Sequence, residues 1–258
     1  MERIVVKTKD RLNHESAFHD RQARHRSSTF DRRPDQFQFA DDDYLDHETW
    51  IRPSFDQLGD LSGLRALDFG CGHGMAAVVL ARGGAQVTAL DLSWGYLSEA
   101  RERARANKVA VHFVQANGER LPFADASFDR VWGNAILHHL EVRAAGEELF
   151  RVLAPGGRAV FAEPWGHNPL LNLARSRLTY PGKDRTPDEK PLRRQQIRML
   201  RAIFPRVAVQ GHQLLSMARR VFHNERWLNR LDSWDHMLLA RIPRLQEYCR
   251  YVVLTLSR

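Results

Sequence analysis

The sequence predicts an α/β fold, a doubly wound, seven-stranded and mostly parallel sheet. One observation is the stretch ALDFGCGHGMAA, in which an apolar strand runs into a glycine turn and then into a helix. The other is the alternation of strand and helix patterns from Arg65 onward, an order that places successive strands parallel. The chain has 258 residues with 43% hydrophobic content, enough for one principal domain but not for two full α/β domains.

Seven apolar runs predict the strands, and turn residues separate them. In chain order they are RALDFG, AQVTALDL, VAVHFVQA, FDRVWGN, RAVFAE, RVAVQGHQLL and RYVVLTLSR. Helical patterns lie between them: MAAVVLARGG, which glycines close, SWGYLSEARERARANK, which Ser93 caps, and a stretch around Ala144–Leu153. Because helices connect the early strands, those strands must run parallel.

Two segments lie outside this alternation. Residues 1–60 form a predicted N-terminal helical cap, with one helix in NHESAFHDRQARHR and a second around HETWIRPSFDQL. A helical lid insertion over about residues 216–248 precedes the last strand and is broken at Pro243. The predicted domains are therefore the cap and an α/β domain over residues 61–258 that contains the lid.

The composition argues against several classes of protein. The first residues, MERIVVKTKD, are charged throughout, and no apolar run approaches the roughly 18 residues of a membrane span, so we expect a cytoplasmic protein. Cys71 and Cys249 are the only cysteines, which indicates neither a disulfide framework nor a structural zinc site. The net charge of +8 comes largely from arginines in Phe161–Arg258, which predict either a solvated helical face or a site for an acidic group.

The glycine turn must hold a ligand closely, and Asp68 indicates the sign of that ligand's charge. Gly72, Gly74 and Ala77 satisfy the GxGxxG/A pattern of dinucleotide sites, which is weak evidence alone. Asp68 stands two residues before Gly70, where its carboxylate would repel a pyrophosphate. A cationic ligand such as S-adenosylmethionine, which carries a sulfonium and an ammonium, would be attracted instead. The alternative is that Asp68 is only a turn or cap residue.

A second acid, Asp91, ends the second predicted strand. A carboxylate at this position can accept hydrogen bonds from both hydroxyls of a ribose, as it does in dinucleotide enzymes. Its alternative role is to cap the helix that follows. Together with Asp68 and the glycines, Asp91 favours an adenosine-containing ligand.

The chain resembles class I S-adenosylmethionine-dependent methyltransferases, which have a Rossmann-like fold. The resemblance rests on ALDFGCGHG, the acid in ALDLS, the run NGERLPFADASFDRVWGNAILHHL and the turn RVLAPGG. These motifs are similar to the small-molecule branch typified by the ubiquinone and menaquinone biosynthesis enzymes. The similarity extends over about Arg65–Glu163, with the motifs in order and at normal spacing.

The resemblance implies S-adenosylmethionine as cofactor and a role for each matching residue. Asp68 would support the amino group, Asp91 would bind the ribose hydroxyls, and Leu92 would pack on the adenine. Asn117 stands where the family usually has an acid that accepts the adenine amino group, and an amide oxygen is generally a weaker acceptor. The remaining expected cofactor contacts are Gly70, Cys71, Gly72, Gly74, the backbone N–H of Gly118 and the backbone carbonyl of Asn134.

Methyl transfer from a sulfonium chiefly requires alignment of the acceptor, so a base is the one catalytic group to look for. His138 and His139 follow the fourth strand, and Glu163 ends the fifth. We name His139, Glu163 and His138 as candidate catalytic residues, in that order. The alternatives are that the histidine pair is structural and that Glu163 fixes the proline-containing turn after it.

Several missing patterns narrow the acceptor. The chain reads GNAILHHL after the fourth strand, unlike the [DN]PP[YF] motif that amino-methylating nucleic-acid enzymes carry, and it lacks a Pro-Cys for cytosine methylation. The acids and asparagine of magnesium-dependent catechol methylation are not evident either. We therefore expect a small, partly apolar acceptor, O- or C-methylation, no nucleic acid and no metal. The alternatives are a macromolecule-directed methyltransferase and a non-methylating binding module or cyclase.

Acceptor specificity is expected to lie in the cap and the lid, since ligands of open α/β sheets bind beyond the carboxyl ends of the strands. Aromatic residues there offer apolar walls, and arginines offer partners for an acidic group of the acceptor. The alternative is that the aromatics pack the helices or form a dimer contact. The expected acceptor contacts are Tyr44, Trp50, Phe18, Trp227 and Arg185, with Phe222, Trp234, Arg24 and Arg175 as further candidates.

Overall fold

The computed structural model describes residues 14–25, 34–177, 190–220 and 224–258, and in them a seven-stranded sheet forms the centre of the molecule. The strand order is β3-β2-β1-β4-β5-β7-β6. The strands are β1 (Arg65–Phe69), β2 (Gln86–Asp91), β3 (Val111–Gln115), β4 (Phe128–Asn134), β5 (Leu153–Pro164), β6 (Arg206–His212) and β7 (Tyr251–Ser257). All seven predicted strands are present, and the predicted fold class is confirmed.

The parallel strands bring three polar residues at their carboxyl ends to one edge of the sheet. β1 pairs in parallel with β2 on one side and with β4 on the other. The order in which successive strands are added to the sheet therefore reverses at β1. Such a point opens a crevice beyond the carboxyl ends of the strands. Asp68, Asp91 and Asn134 stand at or next to the ends of β1, β2 and β4, all on this edge.

β7 runs antiparallel between β5 and β6, with Val160 opposite Thr255 and Val209 opposite Leu254. The other described pairings are parallel, as predicted. Three helices precede β1, namely α1 (residues 14–25), α2 (Asp41–Leu45) and α3 (Ile51–Phe55). The helices between later strands are α4 (Met75–Arg82), α5 (Trp94–Ala106), α6 (Val142–Val152), α7 (Pro169–Arg177), α8 (Arg194–Ile203) and α9 (Glu225–Arg241).

The N-terminal segment shares the core of the sheet. The ring of Trp50 stacks on Tyr251 of β7 at 3.9 Å between centroids, and the Tyr44 hydroxyl accepts a hydrogen bond from Trp132 Nε1 at 2.9 Å. Three acids in the first turn of α2, Asp41, Asp42 and Asp43, favour its formation through the helix dipole. The boundary at residue 60 stays a prediction.

The predicted lid contains a short 3₁₀ helix (Ser216–Arg220), α9 and a second 3₁₀ helix that begins at Pro243. Asp235 of α9 is buried, and its carboxylate accepts hydrogen bonds from the backbone N–H groups of Leu214, Leu215 and Ser216. These bonds fix α9 to the chain that leaves β6. None of the helices in the described ranges combines the length and the hydropathy that a membrane span needs, and the expected cytoplasmic location stays a prediction.

Candidate active site

A cavity of about 280 Å³ lies beyond the carboxyl ends of β1, β2 and β4. The glycine turn after β1, the end of β2, the loop after β3 and the turn after β4 form its walls, and α1 lies over it. The lining residues include Glu15, His19, Tyr44, Asp68, Gly70, Cys71, Gly72, Met75, Asp91, Leu92, Tyr96, Asn117, Gly118, Asn134, Ile136, His139 and Leu140.

Asp68 gives the cavity its clearest electrostatic feature. The residue is 2% exposed, and its Oδ2 atom has no hydrogen-bond partner. Burial, together with the neighbouring charge of Asp91, raises the pKa of the Asp68 carboxyl to about 8. A buried carboxyl of this kind suits a cationic ligand, because a positive charge would both restore the ionised form and supply the missing partner.

Asp91 connects the end of β2 to the glycine turn. Its Oδ2 accepts a hydrogen bond from the N–H of Gly72 and its Oδ1 accepts one from the N–H of Ser93, both at 2.8 Å. Burial raises the pKa of this carboxyl as well. A carboxylate has about four acceptor sites, so two backbone bonds leave capacity for the hydroxyls of a ligand.

The glycine turn needs glycine for two different reasons. Gly70 and Gly72 both have positive φ, and a Cβ at Gly70 would lie 2.5 Å from Cγ1 of Ile136. Gly74, predicted to contact the cofactor, is not among the residues that line the cavity. There φ is +84° and a Cβ would lie 2.6 Å from Cβ of Ala100, so this glycine permits close packing of the turn against α5.

The loop after β3 contributes Asn117 and Gly118 to the cavity wall. Asn117 Oδ1 accepts a hydrogen bond from the N–H of Glu119 at 2.9 Å, which orients the side chain. A Cβ at Gly118 would lie 2.6 Å from Cζ of Phe69, so only glycine fits. Leu92 lines the cavity as well, and so does Asn134 at the end of β4. The three predicted adenine contacts therefore all line the cavity, and their roles stay predictions.

The three candidate catalytic residues occupy different positions. His139 lines the cavity with 14% of its side chain exposed, and its Nδ1 lies 3.4 Å from Oε2 of Glu15. Glu163 is fully buried and accepts hydrogen bonds from the N–H groups of Ile136 and Leu137 and from Nδ1 of His138 at 2.7 Å. Neither Glu163 nor His138 is among the residues that line the cavity, and their catalytic assignment stays a prediction. They fix the turn that presents His139.

Comparison with known proteins agrees with this geometry. Residues 67–161, the segment that supplies most of the cavity, match the family profile described as a methyltransferase domain. This segment is a methyltransferase domain. The predicted resemblance to class I S-adenosylmethionine-dependent methyltransferases is thereby confirmed for it, together with the enzyme class and cofactor of such domains.

The relatives share the methyltransferase domain rather than their whole length. A demethylmenaquinone methyltransferase of Beutenbergia cavernae is 39% identical over 121 residues, which are 45% of this chain and 49% of that protein. A malonyl-[acyl-carrier protein] O-methyltransferase of Erwinia pyrifoliae is 45% identical over 102 residues, 39% of this chain and 37% of that protein. The similarity thus spans less than half of each relative.

Solved structures share the fold over most of the chain. The geranyl diphosphate C-methyltransferase of Streptomyces coelicolor A3(2) has a TM-score of 0.56 and 18% identity, over 80% of this chain and 77% of that one. The [4+2]-cyclase SpnF has a TM-score of 0.53 and 24% identity, over 82% of this chain and 83% of that one. At these identities the similarity shows the fold alone.

Most of the expected acceptor contacts lie away from the cavity of the methyltransferase domain. Tyr44 lines it, but Trp50 is buried against Tyr251 and packs the cap onto the sheet. Trp227 is 54% exposed, with the guanidinium of Arg230 over its ring. The other expected residues that do not line it, among those described, are Phe18, Trp234 and Arg24, while Phe222, Arg185 and the side chain of Arg175 lie outside what the structure describes.

Sequence reasoning missed two residues of the site, Glu15 and His19, because they lie on a helix predicted only as part of the cap. Their spacing of four places both on one face of α1, which was the signal available. The described lining contains three carboxylates, from Glu15, Asp68 and Asp91, and no Lys or Arg. The cavity wall therefore favours cations, and it offers no support for the expected acidic group on the acceptor.

Glu163 should matter for stability through the turn after β4. We expect Glu163→Gln to lower the free energy of unfolding by about 1–3 kcal/mol, because the amide NH₂ would face one of the three donors that the carboxylate now accepts. Urea unfolding measures the change. Glu147→Gln on the exposed face of α6 is the matched control, expected to stay within about 0.5 kcal/mol of the parent. Equal stability of the two variants would contradict the assigned role.

Proposed function

We propose that this chain transfers a methyl group from S-adenosylmethionine to a small, partly apolar acceptor, by O- or C-methylation. The observation that carries the proposal is the buried carboxyl of Asp68, whose Oδ2 atom lacks a partner inside a cavity lined by two further acids. An ammonium or sulfonium group fits this environment and a phosphate does not. The matched methyltransferase domain supports methyl transfer as the reaction.

The residues around the cavity suit the parts of this cofactor. Asp68 would pair with its amino group, and Asp91 would accept from the ribose hydroxyls while holding the glycine turn through Gly72. Leu92, Asn117 and Gly118 would enclose the adenine, and Cys71 and Asn134 would complete the wall near the methionine part. When bound, the cofactor supplies a methyl group already activated by its sulfonium sulfur.

The protein's own contribution is alignment, exclusion of water and removal of a proton. Tyr44, Met75, Ile136 and Leu140 give the cavity apolar surface against which a partly apolar acceptor can be oriented. His139 is the lining residue suited to take a proton from a hydroxyl or carbon acid, and the nearby carboxylate of Glu15 would stabilise the imidazolium that results.

The relatives differ in what they methylate, which is why the acceptor is proposed only by class. One relative is a malonyl-[acyl-carrier protein] O-methyltransferase, and one neighbour in fold is a geranyl diphosphate C-methyltransferase. The apolar lining and the three carboxylates favour an uncharged acceptor over an acidic one.

The decisive experiment incubates the full chain with S-adenosylmethionine and metabolite extracts and measures both S-adenosylhomocysteine and enzyme-dependent products heavier by one CH₂ unit. We expect one small product class. Cofactor binding without S-adenosylhomocysteine formation in any extract would favour a binding module or cyclase. Acceptor binding that weakens steeply with salt would favour a macromolecular acceptor.

Asn117 gives a graded test of the adenine contact. We expect Asn117→Asp to hold or improve cofactor affinity, because a charged acceptor strengthens the bond to the adenine amino group, and Asn117→Leu to weaken binding by about 0.5–1.5 kcal/mol. Calorimetric titration measures all three proteins. Equal affinities would show that this side chain points away from the adenine.

A further inference from the structure

Three side chains at the roof of the cavity converge on one point. Glu15 and His19 stand one turn apart on α1, and His139 comes from the 3₁₀ turn after β4. Oε2 of Glu15 lies 3.3 Å from Nε2 of His19 and 3.4 Å from Nδ1 of His139. The three potential ligand atoms all lie within 4.8 Å of one another.

The hydrogen bonds of His19 show which of its nitrogens is available. Nδ1 lies 3.2 Å from Oε1 of Gln22, an oxygen that also accepts the hydroxyl of Tyr96 at 3.2 Å. An amide oxygen can only accept, so Nδ1 carries the hydrogen. In the neutral ring, the lone pair of Nε2 then faces the carboxylate of Glu15. Metal-binding histidines typically have this arrangement, with the second ring nitrogen held by an oxygen.

The lone pair of His19 Nε2 and the carboxylate of Glu15 would repel each other unless they share a cation. A proton between His19 and Glu15 is one solution. A metal ion is the other solution, and it serves all three side chains at once. Ligand atoms about 2.0–2.2 Å from a tetrahedral ion lie about 3.3–3.6 Å apart, which matches the two measured separations.

We propose that Glu15, His19 and His139 form a binding site for a divalent transition-metal ion of the zinc class, with Gln22 orienting His19. Two imidazoles and one carboxylate suit such ions better than magnesium, and three protein ligands leave a fourth position open. The site differs from the sequence-based expectation of no metal, which rested on the missing acids of magnesium-dependent enzymes. It also lies in the wall of the cavity, where an acceptor oxygen could approach the open position.

The test uses the full chain without a tag, dialysed against EDTA and titrated without cofactor, so that its outcome is independent of methyl transfer. We expect one Zn²⁺ per chain by calorimetry and a tetrahedral Co²⁺ absorption spectrum. Glu15→Gln, His19→Gln and His139→Gln should each weaken binding at least 10-fold. Gln22→Ala keeps all three ligands and should weaken it about 10- to 100-fold through the lost orientation of His19. His112→Gln, an exposed histidine of β3, is the matched control and should bind as the parent does.

Three results would overturn the proposal: no stoichiometric binding by the parent protein, unchanged affinity in the ligand variants, or a thiolate-to-cobalt transition that places Cys71 among the ligands. Thermal melts identify any ligand variant that fails to fold. Gln22→Ala then decides, since an affinity equal to that of the parent would show that His19 does not hold the ion.

Discussion

Asp68→Asn is expected to weaken S-adenosylmethionine binding by about 10- to 150-fold, corresponding to the loss of a hydrogen-bonded charge pair of about 1.5–3 kcal/mol. The variant keeps the size of the side chain and removes the charge that would face the cofactor ammonium. Calorimetric titration of the EDTA-treated protein measures the affinity. Asp60→Asn, on the exposed loop before β1, is the matched control and should bind normally. Normal binding by Asp68→Asn would remove the ion pair from the proposal.

The pH dependence of binding provides a second readout of the same residue. The pKa of Asp68 is raised to about 8, so below that pH the carboxyl must release a proton when an ammonium binds. The affinity advantage of the parent over Asp68→Asn should therefore grow by up to about tenfold per pH unit as the pH rises toward 8, and then level off. The ratio cancels any titration of the cofactor itself. A ratio that does not change with pH would contradict the assignment.

The stability of the protein without cofactor should respond to pH with the opposite sign. Between the ordinary pKa of 3.8 and about 8, the folded protein holds a proton on Asp68 that the unfolded chain releases. Asp68 therefore makes the protein less stable as the pH rises through this window. Asp68→Asn should remove this contribution, which melting curves at several pH values would detect.

His139→Gln is expected to lower turnover by 100-fold or more, the usual effect of losing a general base, while cofactor affinity changes little. The expectation rests on His139 lining the cavity beside Glu15, whereas His138 is turned toward Glu163. The assay is run first in EDTA, where the ring nitrogen is free of metal, and then with Zn²⁺, which would occupy that lone pair. A large loss in EDTA supports the base; a loss seen only with Zn²⁺ assigns His139 to the metal site alone.

His138→Gln is the matched control for this comparison. It removes a neighbouring histidine that bonds to Glu163 and does not line the cavity, so we expect lower stability and a much smaller loss of turnover. Near-normal rates for His139→Gln in both conditions would mean that alignment alone drives transfer. A larger loss for His138→Gln than for His139→Gln would reverse the assignment of the two rings.

The sequence by itself determined the sheet and the place of its two acids beside the glycine turn. Strand runs joined by helices impose parallel neighbours, and parallel strands place their carboxyl ends on one edge, so Asp68 and Asp91 had to lie near the glycine turn between them. Local patterns of this kind depend on spacing and backbone geometry. They are visible without knowing which distant segments pack together.

Only the tertiary structure decided what depends on contacts between distant segments. Glu163, a candidate base at the end of a strand, is buried beneath the turn after β4 and accepts three hydrogen bonds from it. The ring of Trp50, an expected acceptor contact, stacks on Tyr251, which stands 201 positions later in the chain. The packing of α1 over the cavity brings Glu15 and His19 beside His139, and no spacing rule predicts this because it follows from how the cap folds onto the sheet.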